Sequence, residues 1–171
     1  MKARICLAVV LSLTTASTVL GAVATQKFTV VVPSNVSITA PANASINHDE
    51  TDNNQSFPNQ QWTVKGNVLN GVSVSFSTDQ AFTHTTDSSF KRDASISLAE
   101  ASHLGPATWS ISQASDSTNY SGGDGVATVA ASSNGVGRAT FNLGVAFVTG
   151  SYGTFAAGNY EMTVTGTVTA N

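Results

Sequence analysis

The sequence contains a single cysteine, Cys6, among 171 residues. It lies near the start of a segment that we predict to be a cleaved signal peptide. The mature chain therefore lacks a thiol, which excludes a cysteine nucleophile and any disulfide. About 147 residues remain after cleavage, which is long enough for a hydrophobic core to hold the fold without a covalent link.

Residues 1–24 have the parts of a secretory signal peptide. Two basic residues precede a short apolar run, and small residues end the segment at Ala24. The alternative is a transmembrane anchor, but the run is short and is interrupted by serine and threonine. We predict cleavage after Ala24, with Gly21 as the rival position, and a single β-sandwich domain over residues 25–171.

Charge is also scarce, at 10% of the residues, and acidic side chains outnumber basic ones. Without the two basic residues of the signal peptide, the net charge falls from −3 to −5. Nucleic acids and anionic membrane surfaces bind basic patches, so this balance argues against both as partners. The apolar content of 41% in regular alternation argues against disorder.

What the sequence has in quantity is alternation of apolar and polar residues, which is typical of half-buried strands. The clearest case is 158–171, where Tyr160, Met162 and Val164 share one parity and threonines occupy the other. The Asn70-Gly71 pair predicts a tight hairpin turn, and Ala99–His103 suits one helical turn. Together with 158–171, the predicted strands are 26–40, 61–66, 72–77, 94–98, 107–113, 126–131 and 137–149.

Short strands at even spacing with no confident helix predict an all-β fold. We expect an antiparallel two-sheet immunoglobulin-like sandwich of about eight strands, with a lipocalin-like barrel as the alternative. The expected core side chains are Phe28, Val30, Trp62, Val64, Val74, Phe76, Ile96, Trp109, Ile111, Phe141, Val145, Phe147, Tyr160, Met162 and Val164.

The polar loop 41–60 contains the acidic cluster Asp49, Glu50 and Asp52. Calcium takes six to eight oxygen ligands, which carboxylates and asparagine carbonyls can supply. These three residues are therefore the candidate metal ligands, and calcium is the only cofactor that the sequence suggests. The spacing does not match the twelve-residue calcium loop, and a solvated acidic loop is the alternative interpretation.

Catalytic motifs are missing. The sequence has no G-x-S-x-G nucleophile elbow, and His48, His84 and His103 are far apart with no metal-binding spacing. We expect the histidines to lie in loops or on the surface. We predict that the protein is not an enzyme and has neither catalytic nor cofactor-binding residues.

The two ends of the chain resemble known bacterial surface proteins. Phe28, Val30 and Val32 follow the signal peptide directly, and Gly158 opens the alternating terminal strand. These ends are similar to chaperone–usher pilins, which implies a first strand donated to a neighbouring copy. The ending AGNYEMTVTGTVTA also resembles spore-coat-U-like and WxL-type domains. Ala170 stands where pilins carry tyrosine, which favours a self-complete domain over linked copies.

These features favour a non-enzymatic structural protein that is secreted, periplasmic or at the cell surface. It would be a coat, surface or filament subunit, with itself or other surface proteins as partners. The alternative is an extracellular carbohydrate- or calcium-binding module that uses Trp109 or Tyr120 with loops 41–60 and 114–125. A secreted hydrolase ranks last.

Overall fold

The computed structural model describes residues 21–171, so all but the last four residues of the predicted signal peptide lie outside it. Within this range no helix is long and apolar enough to cross a membrane, and the only helical segment is the 3-10 turn η1, Tyr120–Gly122. The strands are β1 Val36–Thr39, β2 Gln55–Ser56, β3 Gln60–Gly66, β4 Val72–Thr78, β5 Phe82–His84, β6 Lys91–Arg92, β7 Ala94–Leu104, β8 Trp109–Gln113, β9 Ser115–Ser117, β10 Thr128–Ser133, β11 Gly137–Phe147, β12 Tyr160–Glu161 and β13 Val164–Ala170.

The described chain is therefore all-β, as predicted. It has thirteen strands where about eight were expected, and eight of the thirteen have four or more residues. Every strand pair is antiparallel. The compact unit runs from Pro33 to Asn171.

Residues 26–32 do not form the strand that the sequence predicts for them. They carry no helix or strand, and all their side chains are exposed. Phe28 is 81% exposed and Val30 is 85% exposed, so the prediction that both lie in the core was wrong. Alternation specifies the two faces of a strand but does not supply a hydrogen-bonding partner. The first strand of the structure begins only at Val36, beyond Pro33.

The largest sheet has the order β1-β3-β11-β7-β9, with β2 added beside one end of β11. Its central strand is β11, whose alternate side chains Ala139, Phe141 and Leu143 are buried. This is the parity that the sequence predicts. A second sheet has the order β13-β4-β10-β8, and a small third sheet has the order β12-β5-β6.

One core cluster takes side chains from both larger sheets. The rings of Trp62 and Phe141 from the first sheet lie 5.2 Å and 6.3 Å from that of Phe76 in the second. Each pair meets edge to face, an arrangement that aromatic rings prefer. Packing of two antiparallel sheets over a shared core is consistent with a β-sandwich.

A smaller cluster lies elsewhere, with Phe82, Ala94 and Phe147 buried at its centre. Of the other expected core residues, Trp62, Val64, Val74, Phe76, Ile96, Trp109, Phe141 and Phe147 are buried, while Ile111, Val145, Tyr160, Met162 and Val164 are partly buried.

The predicted hairpin at Asn70-Gly71 is not formed. β3 pairs with β1 and β11, whereas β4 pairs with β10 and β13, so the connection crosses from one sheet to the other. Gly71 has φ +79° and lies against the backbone of Ser133, a position that only glycine fills without strain. The helical turn expected at Ala99–His103 is also wrong, because pairing with β11 extends β7 through this segment.

Candidate functional site

The acidic cluster of loop 41–60 is organised by hydrogen bonds within the loop. Asp49 Oδ1 accepts bonds from the Thr51 hydroxyl at 2.7 Å, the Thr51 backbone N–H at 3.0 Å and the Gln55 amide at 2.7 Å. The hydroxyl bond is the main reason that the pKa of Asp49 lies below its usual value. Asp49 therefore closes the loop onto the first residue of β2.

The other two carboxylates make different contacts. Asp52 Oδ1 accepts the backbone N–H of Tyr152 at 2.7 Å and so ties loop 41–60 to the segment after β11. Glu50 has φ +61°, and its backbone N–H donates to His48 Nδ1. Within residues 21–171 no three histidine, cysteine or acidic side chains are grouped so that they could hold a metal ion. The calcium site stays a prediction.

Loop 41–60 instead borders a cavity of about 610 Å³, which we call the aromatic cavity. Segment 152–161 forms much of the opposite wall. The rings that line it are Phe57, Phe82, Phe147, Tyr152, Phe155 and Tyr160, together with the imidazole of His48. The other lining residues are partly aliphatic or small, such as Ile46 and Ala156, and partly polar or acidic, including Glu50, Asn159 and Glu161.

His48 is held in the wall by bonds to both ring nitrogens. Nδ1 accepts the Glu50 N–H at 3.0 Å, so in the neutral ring the proton lies on Nε2, which donates to Thr149 Oγ1 at 3.0 Å. The hydroxyl of Thr149, which is fully buried, donates onward to the Asn53 carbonyl at 2.7 Å. With both nitrogens hydrogen-bonded, the imidazole of His48 is fixed in orientation beside the rings of Phe147, Tyr152 and Phe155.

His84 supports the same wall from β5, where it is buried, so the prediction that every histidine lies in a loop or on the surface was wrong for this residue. Its Nδ1 accepts the backbone N–H groups of Thr86 at 3.2 Å and Asp87 at 3.0 Å, and its Nε2 donates to the Ala157 carbonyl at 3.2 Å. Gly158 has φ +150°, and a Cβ there would strike this imidazole. The chain can therefore pass His84 closely only with glycine at this position.

The aromatic residues named from the sequence lie elsewhere. Trp109 is only 7% exposed, and its ring lies 5.4 Å from that of Phe141, so it is a core residue and not a binding platform. Tyr120 is exposed in η1 but does not line the aromatic cavity. His103 is exposed near the end of β7, with Nδ1 2.5 Å from Glu100 Oε1.

Sequence reasoning located one wall of the cavity and missed the other. Loop 41–60 is a candidate binding region in the sequence, whereas residues 150–157 fall between two predicted strands and have no predicted role. The signal that was present is the concentration of Tyr152, Phe155 and Tyr160 within a glycine-rich segment. Loops are usually solvated and polar, so several aromatic side chains in one loop indicate that the loop forms a packed or binding surface.

The arrangement can bind a ligand by ring stacking, by accepting hydrogen bonds at its carboxylates and by forming hydrogen bonds with the Asn159 amide. The resemblance to pilin-like and other surface domains stays a prediction, and the chain is assigned to no family. Comparison with protein-family models, with curated proteins and with solved structures found no match.

Proposed function

We propose that this protein is a secreted, non-enzymatic structural subunit of a surface layer or filament, built on an immunoglobulin-like sandwich. Ala170 favours a self-complete domain on sequence grounds alone, but the exposure of Phe28 and Val30 favours linked copies. In this proposal residues 26–32 of one copy add a strand to the free edge of β13 in the next copy. The observation that carries it is the exposed, alternating apolar segment at 26–32.

The donor is residues 26–32, which we call the N-terminal segment. Its side chains Phe28, Val30 and Val32 share one parity and are 81%, 85% and 75% exposed. Contiguous exposed apolar residues are typical of interaction sites. Burying each such side chain stabilises a complex by about 1.5–3 kcal/mol before the entropy of ordering is subtracted.

The acceptor is β13, which pairs only with β4 among the described residues. Proteins usually protect an edge strand with lysine, proline, a bulge or a short length. β13 has seven residues in regular register, with neither charge nor proline. At the far side of the other large sheet, β9 has only three residues and carries Asp116, so that edge is less suited to pairing.

Beside β13 the apolar side chains that pack on the main core cluster are only partly buried. Val164 and Val168 on β13, and Val36 and Ile38 on β1, pack against the main cluster but are only partly buried. β1 and β13 are in contact without pairing. An added strand would place alternate side chains over these four residues, which is how an extended segment gains both affinity and specificity at a sheet edge.

The test is sedimentation velocity over a concentration series on the chain that begins at Thr25. We expect concentration-dependent assembly, and we expect a chain that begins at Pro33 to remain monomeric and folded. Val30→Ser should weaken assembly strongly. Val31→Ser is the matched control, because Val31 is 84% exposed but has the opposite parity.

Two results would contradict the proposal. One is a chain from Thr25 that is monomeric at every concentration. The other is an equal effect of Val30→Ser and Val31→Ser, since a strand on β13 buries only one of the two faces.

A further inference from the structure

We propose that the aromatic cavity is a binding site for a neutral saccharide, which goes beyond assembly through β13. Its volume of about 610 Å³ lies within the range of small-molecule sites, roughly 300–1,000 Å³, and suits on the order of two or three sugar units. The lining combines ring faces with a few polar side chains. Three properties of the site favour a neutral saccharide as its ligand. They are its charge, its mixture of aromatic and polar side chains, and the fixed positions of its rings.

Charge selects a neutral ligand. Glu50 and Glu161 line the cavity and no lysine or arginine does, so an anion in the cavity would meet two carboxylates. A cationic ligand is disfavoured for a different reason, which is that a protein cation already stacks on one of the lining rings. The Arg92 guanidinium lies 4.5 Å from the centroid of the Phe155 ring and has no ion-pair partner among residues 21–171. A bound cation would compete with Arg92 for this ring.

The polar lining selects against a lipid or other wholly apolar ligand. Such a ligand would cover the Asn159 amide and the two carboxylates without replacing their bonds to water, which is unfavourable. A saccharide instead has apolar C–H faces that stack on rings and hydroxyls that donate to carboxylates and amides. Hydrogen bonds to a carboxylate are the stronger kind.

The rings are fixed before any ligand arrives, which reduces the entropy lost on binding. Tyr160 donates its hydroxyl to the Ala156 carbonyl at 3.0 Å, and its ring lies 5.6 Å from that of Phe147. Tyr152 stacks on His48 with centroids 5.5 Å apart, and Asp52 holds its backbone N–H. Tyr152 is still 44% exposed, so it is the ring best placed to receive a sugar.

The experiment is binding of the chain from Thr25 to an array of neutral and acidic oligosaccharides and, in a separate titration, to decanoate as the apolar probe. Calorimetry then follows with the neutral array member that gives the strongest signal. We expect neutral oligosaccharides to bind and acidic ones to fail. Tyr152→Ala should weaken binding about tenfold, while Tyr152→Phe keeps the ring and should retain it.

Tyr120→Ala is the matched control, because Tyr120 is 37% exposed and does not line the cavity. Asn159→Ala should also weaken binding, and it serves if Tyr152→Ala fails to fold. The proposal is overturned if no neutral oligosaccharide binds at millimolar concentration, if acidic glycans or decanoate bind instead, or if Tyr120→Ala causes the greater loss. Repeating the calorimetry with the chain that begins at Pro33 separates saccharide binding from assembly.

Discussion

Gly166 on β13 offers a direct test of how closely β13 approaches β1 and β3. A Cβ built on Gly166 would lie 2.6 Å from Ile38 Cδ1, 2.9 Å from Trp62 Cζ3 and 3.2 Å from Trp62 Cε3. Ordinary contacts of a Cβ atom are 3.4–4 Å. Gly166→Ala should therefore push these side chains away from β13. Gly166 does not have a positive φ, so alanine adds no backbone strain there.

The size of the effect depends on which neighbour can move. Ile38 is partly buried and presents a flexible end, so it can rotate away. Trp62 is 9% exposed, and its ring lies 5.2 Å from that of Phe76, so it cannot. Overpacking of this kind costs about 1–3 kcal/mol. A gain of about 0.4–1 kcal/mol from restricting the unfolded chain offsets part of it, leaving about 1–2 kcal/mol of destabilisation.

Thermal unfolding followed by circular dichroism measures this change, which corresponds to a fall in Tm of about 3–8 °C. Gly125→Ala is the matched control, because a Cβ there meets nothing within 4 Å. It should leave the Tm unchanged or slightly raised. In an Ile38→Val background the Gly166→Ala penalty should shrink. If Gly166→Ala and Gly125→Ala give the same Tm, the close approach of β13 to Trp62 is refuted.

Two titrations provide further predictions. Burial raises the pKa of Tyr160 above its ordinary 10.0, so its stabilising contribution is complete below pH 10 and is lost as pH rises through the folded-state pKa. Absorbance at alkaline pH should show a phase of tyrosine ionisation above pH 10, and Tyr160→Phe should remove that phase. The Ser89 hydroxyl, followed by the Ser89 backbone N–H, lowers the pKa of Asp87 below 3.8. Asp87 should therefore stabilise the fold above pH 3.8 and lose this effect as pH falls further, so that Asp87→Asn lowers the Tm at pH 7 but not near pH 2. A Tm difference that persists at pH 2 would contradict this assignment.

The sequence predicted which side chains face inward wherever a strand was correctly located. In β11, the alternation of Ala139, Phe141 and Leu143 matches their burial, because a period of two reports the two faces of a strand directly. The partners of each strand were not predictable in this way. Val64 and Val74 both face the core, but nothing in their alternation says that β3 and β4 belong to different sheets.

The segment at Ala99–His103 shows why local patterns fail. It has weak alternation and helix-forming residues, yet ten residues of β11 pair with β7 and hold it extended. Tertiary pairing outweighs local preference here. The aromatic cavity was missed for a similar reason, since its walls are separated by about a hundred residues of sequence and meet only through bonds such as that between Asp52 and Tyr152.

The central claim is that the N-terminal segment of one copy pairs with β13 of another. Hydrogen–deuterium exchange of residues 164–170 tests it directly, because amides on the free edge of β13 become bonded only when a strand is added. The chain from Thr25 should show protection of β13 that grows with protein concentration, and the chain from Pro33 should show none of this increase. Exchange that is identical in both chains, or protection that does not depend on concentration, would contradict the claim.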